Sequence, residues 1–286
     1  MSLSLLDNYM ASVSPAAVAL VRLRRGFGSK IFASKIMDKW HTQFTGAAND
    51  TPWSTAVSAL EKLLQKSAAG LPISIVLSNQ LVRYKIIPAL PPFSAADKVL
   101  AVARHGFRET YGDMVDDWTI RVNPVPHGDS VIASAVDSAL LAALEALTLK
   151  YGCKLKSIQP FLMSGFNQLH RRIKTLPACY VQIENGRLYV ALIRDGAWHS
   201  ITGSVAGPDW PQQLSALIAR EMLLAGWQHE QAIIYLAPAN SAEDSRSSAA
   251  FMQSSVWKTL PAPQPAMTGY AVASDQAYAM ALSVAR

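Results

Sequence analysis

The stretch 180–201, YVQIENGRLYVALIRDGAWHSI, constrains the fold more than any other part of this 286-residue chain. Asn185-Gly186 and Asp195-Gly196 sit between short runs in which apolar and polar residues alternate. A two-residue hairpin turn demands positive φ at its centre, and Asn-Gly and Asp-Gly accept that conformation at little steric cost. The stretch therefore predicts a three-stranded antiparallel meander.

The rest of the chain mixes strand and helix periods. AAVALVRL (16–23) and KIFASKIM (30–37) read as an opening hairpin, joined by RRGFGS, whose glycines permit a tight reversal. A helix is predicted over 52–68, where Val57, Leu60, Leu63 and Leu64 share a face, Pro52 suits the first turn and Gly70 the stop. Strands follow at 71–78 and 80–88. The next helix, 93–112, takes Ser94 as N-cap with Asp97 at the capping-box position. A strand is expected at 116–124, and the alanine-rich 130–152 reads as one long amphipathic helix. A short strand at 154–160 leads into a partly helical connector at 161–173. Beyond the meander, Asp209 and Pro211 suit the start of a helix over 207–227, and 232–238 is a buried strand. Then come a polar loop (239–250), a proline-rich tether (260–269) and a closing helix (274–286). The alternation gives an α/β protein of two lobes with a boundary near 165–178. Lobe one is 1–169, with the closing helix 270–286 packing back on it; lobe two is 170–269. No internal sequence repeat is visible, although both lobes open with a hairpin.

Composition removes several function classes. Half of the residues are hydrophobic and 16% are charged, which marks a folded chain. No apolar run reaches the roughly eighteen residues of a bilayer span, and MSLSLLDNYM lacks the basic-then-apolar order of a signal peptide. Cys153 and Cys179 have no CxxC spacing and predict neither a disulfide framework nor a zinc site. The net charge of +6 includes clusters at Arg22, Arg24 and Arg25 and at Arg171, Arg172 and Lys174. Such patches read first as a solvated basic face, and after that as a surface for a membrane or a partner subunit. Nucleic acid is not expected, because no helix-turn-helix, zinc finger or aromatic-basic RNP stretch accompanies them.

Catalytic constellations are missing from the sequence. GFGSK (26–30) has the wrong spacing for a Walker loop, and there is no HExxH, GxSxG or GxGxxG. The histidines at 41, 105, 127, 170, 199 and 229 form no i, i+4 pair for a metal. SVWK (255–258) has the serine-x-x-lysine spacing of penicillin-recognising enzymes without their companion motifs, so Ser255 is not expected to be a nucleophile. Asp113, Asp116 and Asp117 read as a solvated acidic loop rather than a cation site.

Three stretches carry a resemblance: LVRYKIIPALPPFSAADKVLAVARHGFRETYGDMVDDW (81–118), LKSIQPFLMSGFNQL (155–169), and the second hairpin with its helix (178–237). Their order is similar to the two-lobed actin-like (ribonuclease H-like) fold, and most similar to the PilM/GspL-type proteins of type IV pilus and type II secretion machines. In nucleotide-using members of that fold each hairpin carries an aspartate-x-glycine turn. Its aspartate positions Mg²⁺ or a water, and its glycine admits the phosphates. By this resemblance the first turn here is Arg24, Arg25 and Gly26, without a carboxylate. The second is Glu184, Asn185 and Gly186, with a displaced acid. Where such proteins place a glycine pair against adenosine, this chain has Ala237, Pro238 and Ala239, and proline has no amide to donate.

Three departures together imply a degenerate nucleotide site, with no catalytic residue and no cofactor. The expected function is a non-catalytic scaffold, cytoplasmic and peripheral to the inner membrane. Its implied partners are an inner-membrane pilus or secretion assembly protein, or its cytoplasmic peptide, and the assembly ATPase; pairing with a second copy stays open. The alternative is an active ATPase or sugar-kinase relative that binds ATP with Mg²⁺ through Glu184. PilM-type relatives bind a short peptide, and GspL-type relatives continue into a membrane helix; the sequence ends at Arg286 without one.

Overall fold

The computed structural model describes residues 7–24, 34–45, 51–67, 70–88, 91, 95–122, 130–170, 173, 177–184, 186–207, 210–227, 232–237, 257–259, 267–271 and 274–285. In chain order the elements are β1 (Asp7–Val13), β2 (Ala17–Arg24), β3 (Ser34–Gln43), α1 (Ser54–Gln65), β4 (Ile73–Leu77), β5 (Val82–Ile87), α2 (Ala96–Tyr111), β6 (Trp118–Val122), β7 (Val131–Asp137) and α3 (Ser138–Lys150). They continue with β8 (Leu155–Pro160), α4 (Phe161–Leu169), β9 (Ala178–Glu184), β10 (Arg187–Arg194), β11 (Ala197–Val205), α5 (Trp210–Leu224), β12 (Ile233–Ala237), β13 (Trp257–Thr259), β14 (Met267–Thr268) and α6 (Ala279–Leu282). Two compact units result: Met1–Leu81 with Ala139–His170 and Ala262–Arg286, and Val82–Ser138 with Arg171–Pro261.

The first unit is built on a sheet of order β14-β3-β2-β1-β4-β8. β1 runs antiparallel to β2 and parallel to β4, and β4 runs parallel to β8. The hairpin predicted at 16–37 is corrected by β1, which precedes it and makes the opening a three-stranded meander. Every residue of β1 is buried, including Asp7, Asn8 and Ser12. A strand covered on both faces has no reason to alternate, so DNYMASV carries no period-two signal. α1 packs against β1, β2 and β3. On Met10, Ala19, Val21 and Leu23 lie Tyr278, Ala281, Leu282 and Ala285 of the C-terminal segment. That segment is a short 3-10 turn, Gln276–Tyr278, followed by the four-residue α6, in place of the continuous helix expected over 274–286.

The second unit repeats the same pairing senses in the order β11-β10-β9-β12-β13, so the architecture is duplicated where the sequence is not. α5 covers this sheet, and Trp210, Leu214 and Ile218 meet Val181, Val190 and Leu192 in its core. A smaller sheet, β5-β7-β6, packs Ile87, Ile120, Ala133 and Ala135 against Ala103 and Phe107 of α2. The helix expected over 130–152 is corrected here: VIASAVD is strand β7, and the helix begins only at Ser138. Alanine favours helix, but Val131, Ile132 and Val136 are β-branched, and pairing with β5 and β6 on both sides overrides local propensity. α2 has Ala95 at its N-cap, with Asp97 in its first turn. Ser94, the expected cap, lies outside the described residues, as do 239–250, Ser255 and 260–266.

α4 begins at Phe161, behind Pro160, and the amides of its first turn need acceptors. Asn79 provides one: its buried Oδ1 accepts from Leu162 N at 2.8 Å. Asn79→Ala is expected to lower the unfolding free energy by about 1–2 kcal/mol. The readout is a lower denaturant midpoint with an unchanged slope.

Candidate functional site at the hairpin turns

In open α/β sheets, ligands gather outside the carboxyl ends of the parallel strands. In the first sheet that end carries the β1–β2 turn and Ser78 after β4, tied together by Ser78 N donating to Val13 O at 2.8 Å. In the second sheet it carries the β9–β10 turn and Ala237, the register partner of Gln182.

The β1–β2 turn is Ser14-Pro15-Ala16. Ser14 Oγ accepts from Ala17 N at 2.9 Å and Ala16 N at 3.4 Å, and donates to Ala17 O at 2.9 Å. Ser14 N donates to Ala17 O at 3.0 Å, and Pro15 has no N–H. The turn's donors are thus satisfied within the turn, and it holds no carboxylate. It does not fit a phosphate grip, which needs amides pointing outward.

Arg24, assigned by resemblance to the degenerate first turn, stands at the other end of β2. It is the register partner of Asp7, whereas the β1–β2 turn lies beyond the pair Val13 and Val18. Its Nε and Nη2 donate to Asp7 Oδ1 and Oδ2 at 2.7 and 3.0 Å. This bidentate bond raises the Arg24 pKa above its ordinary value, by the hydrogen bond first and the opposite charge after it. Arg22 Nη2 lies 2.7 Å from Asp38. Arg25 and Gly26 lie outside the described residues.

The second turn keeps more of its predicted chemistry. Glu184 closes β9 with 1% of its surface exposed, opposite Arg187 at the start of β10. Gly186 has φ +73°, and its carbonyl accepts from Ala206 N at 2.7 Å. Asn185 lies outside the described residues. Tyr189, on β10, is buried against Gly203, where an added Cβ would come within 3.1 Å of the tyrosine ring. Burial pushes the Tyr189 hydroxyl pKa up and Glu184 adds to the rise, while Arg187 and Arg83 oppose it. The structure therefore gathers Glu184, Gly186, Arg187, Tyr189 and, from β5, Arg83. Such a cluster can hold a hairpin rigid or present one shielded carboxylate. Ala237 closes β12, buried and apolar; Pro238 and Ala239 lie outside the described residues.

Sequence reasoning missed Ser14, Pro15, Arg83 and Tyr189. Ser-Pro is a turn signal in its own right, but without β1 it had no strand to close. Asp116 is an ion-pair partner of Arg108 and Arg104. Among the described residues no cluster of His, Cys, Asp and Glu is placed to hold a metal, and no helix is long and apolar enough to cross a membrane. Both cysteines are free and buried, and burial raises their thiol pKa values.

No family model and no curated protein matches the chain. Solved structures do. PilM in the PilM-PilN type IV pilus biogenesis complex superposes with a TM-score of 0.62 at 13% identity, covering 97% of each chain. A Bacteroides thetaiotaomicron protein with an actin-like ATPase fold and unknown function gives 0.58 at 8% identity, over 98% of each chain. The cytoplasmic domain of EpsL, an inner-membrane component of the Vibrio cholerae type II secretion system, gives 0.54 at 11% identity, over 98% of this chain and 94% of that one. The chain has the actin-like fold, laid out along nearly its whole length as in PilM and the EpsL cytoplasmic domain.

Proposed function

We propose that this protein is a non-catalytic actin-like scaffold at the cytoplasmic face of a type IV pilus or type II secretion machine, peripheral to the inner membrane. There it holds an inner-membrane assembly subunit, through that subunit's cytoplasmic peptide, or recruits the assembly ATPase. The observation that carries this reading is the full-length likeness to components of two such machines. The self-satisfied Ser14-Pro15-Ala16 turn supports its non-catalytic half, because one of the two phosphate-gripping turns has no outward donor and no acid.

Glu184 favours a second reading. Among the described residues, a carboxylate 1% exposed beside a glycine of positive φ is a feature that an ATP-binding relative, with Mg²⁺, would use. Calorimetric titration with ATP and Mg²⁺ separates the two. The scaffold reading expects no heat and no thermal shift at millimolar nucleotide, and co-isolation of a membrane-anchored assembly subunit with the tagged chain from its native host. Micromolar, Mg²⁺-dependent binding that is abolished in Glu184→Ala would replace it with the ATPase or sugar-kinase reading.

A further inference from the structure

Between α1 and the end of β3 lies a cleft of about 280 Å³. His41, Thr42 and Phe44 form one wall; Thr55, Ser58 and Lys62 of α1, with Lys66 at its C-cap, line the other. Spacings of three and four residues put these four on one helical stripe, beside the stripe of Ala56, Leu60, Leu63 and Leu64 that is buried. Among the described residues no carboxylate lines the cleft. Lys62 and Lys66 are exposed, and neither forms an ion pair among the described residues. Glu61, the acid on the same helix, is engaged by Lys150 Nζ at 2.6 Å and the Tyr151 hydroxyl at 3.2 Å.

The β3 wall is also a sheet edge. β2 pairs along one side of the strand, whereas β14 meets the other side only at Ser34 and Lys35, and Gly269 follows it as far as Ile36. From Met37 to Gln43 no described strand pairs with that side. Lys39 and the His41 ring meet Asp275 and Tyr278 of the C-terminal segment, although His41 also borders the cleft. Alternation along the strand leaves Thr42 for the cleft.

An open strand edge beside a helix is the geometry in which sheet domains accept an extended peptide as an added strand. Main-chain bonds give affinity, and alternate side chains give selectivity. The geometry points to an extended acidic segment of a partner polypeptide as the occupant, paired along Met37–Gln43 with its carboxylates on Lys62 and Lys66. The lysines are one helical turn apart, about 6 Å along the axis. Alternate residues of a strand repeat at about 6.7 Å, so acids at every second position match the pair. The stems of those acids lie over Ala59, Leu63 and Phe44. This inference rests on the cleft alone and holds whichever machine the protein serves.

The test uses a fluorescein-labelled octapeptide alternating Glu and Thr, titrated by polarisation against the full chain, with a Lys/Thr peptide and inorganic phosphate for comparison. Saturable binding of the Glu/Thr peptide is expected, weakened about tenfold or more in Lys62→Glu/Lys66→Glu. Ser58→Trp, which fills the cleft from an exposed position, should block it. Hydrogen exchange in the unsubstituted protein should slow at the backbone amides of 37–43 when the Glu/Thr peptide binds. No binding, or equal binding of the Lys/Thr peptide, overturns the proposal. So does competition by phosphate without slowed exchange, which makes the cleft a small-anion site. Concentration-dependent protection of 37–43 without peptide assigns the edge to a second copy and overturns it too.

Discussion

Trp227→Ala is expected to destabilise the second unit by about 3–5 kcal/mol, the largest single-residue effect anticipated for this chain. The indole is 1% exposed and belongs to the core that joins α5 to β9, β10 and β12. Its place is fixed by the way α5 ends. Gly226 takes φ +72° and donates to Leu223 O at 3.0 Å, while Trp227 N donates to Met222 O at 2.7 Å. This is the Schellman pattern, in which the residue after the left-handed glycine folds back on the last helical turn. Met222 packs against the same core, so it serves the cap through its carbonyl and the core through its side chain. The Arg194 guanidinium sits 4.2 Å from the ring centroid, and His199 meets the ring at 5.2 Å in a tilted edge contact. Alanine removes the ring from between them and leaves a cavity that strands on one side and a helix end on the other cannot collapse to fill. Trp227→Phe should recover part of the loss, since it keeps an aromatic surface under Arg194. Guanidinium unfolding followed by far-ultraviolet circular dichroism measures both, because the substitutions alter the fluorescence signal itself.

The same element shows what a sequence can disclose. LLAGW carries a helix end that the expected span 207–227 overruns: the helix stops at Leu224, and Gly226, a glycine after an apolar stripe, is the local chemical signal. The meander of β9, β10 and β11 was legible for the same reason: Asp195 and Gly196 adopt φ +54° and +80°, the positive values that their dipeptide anticipates. β1 was not legible, because burial on both faces erased its period, and β7 was not, because small residues mask β-branched ones. The candidate site divides along this line. Glu184 and Gly186 lie where a turn dipeptide put them. The first turn could be found only after β1 supplied its partner strand, and Arg83 acts on Tyr189 by charge, through packing of β5 beside β11 that leaves no local trace. Element order survived where residue identity did not. At 13% identity to PilM the sequence still held enough of that order to suggest an actin-like fold.

Asp275→Ala is expected to cost about 2–3 kcal/mol and to free the C-terminal segment from the first sheet. Asp275 is 1% exposed; one carboxylate oxygen takes Lys39 Nζ and the other accepts from Ala271 N at 2.8 Å. The turn it organises sets Tyr278 beside His41, 3.2 Å from its Nδ1, and presents Ser283 to Ser164 at 2.7 Å. Lys39 is 38% exposed, so water can solvate it when the acid is gone, whereas the Ala271 amide loses its acceptor. Burial pushes the Asp275 carboxyl up, but the bonds from Lys39 and from the Ala271 amide outweigh it and hold the carboxyl below its ordinary value. A folded-state pKa below the unfolded one gives stability that is present in full above the unfolded pKa. It is lost as pH falls through the folded value. The gap between the parent protein and Asp275→Asn should therefore be full at pH 7 and shrink once pH drops below about 4. Asparagine can still accept from the Ala271 amide, so Asn isolates the charge and Ala removes charge and acceptor together. Proteolysis at 271–275 should quicken in the order parent, Asn, Ala at pH 7. Equal rates would mean that packing of Tyr278, Ala281 and Leu282 alone holds the segment, and that the ion pair with Lys39 fixes only the direction of the turn.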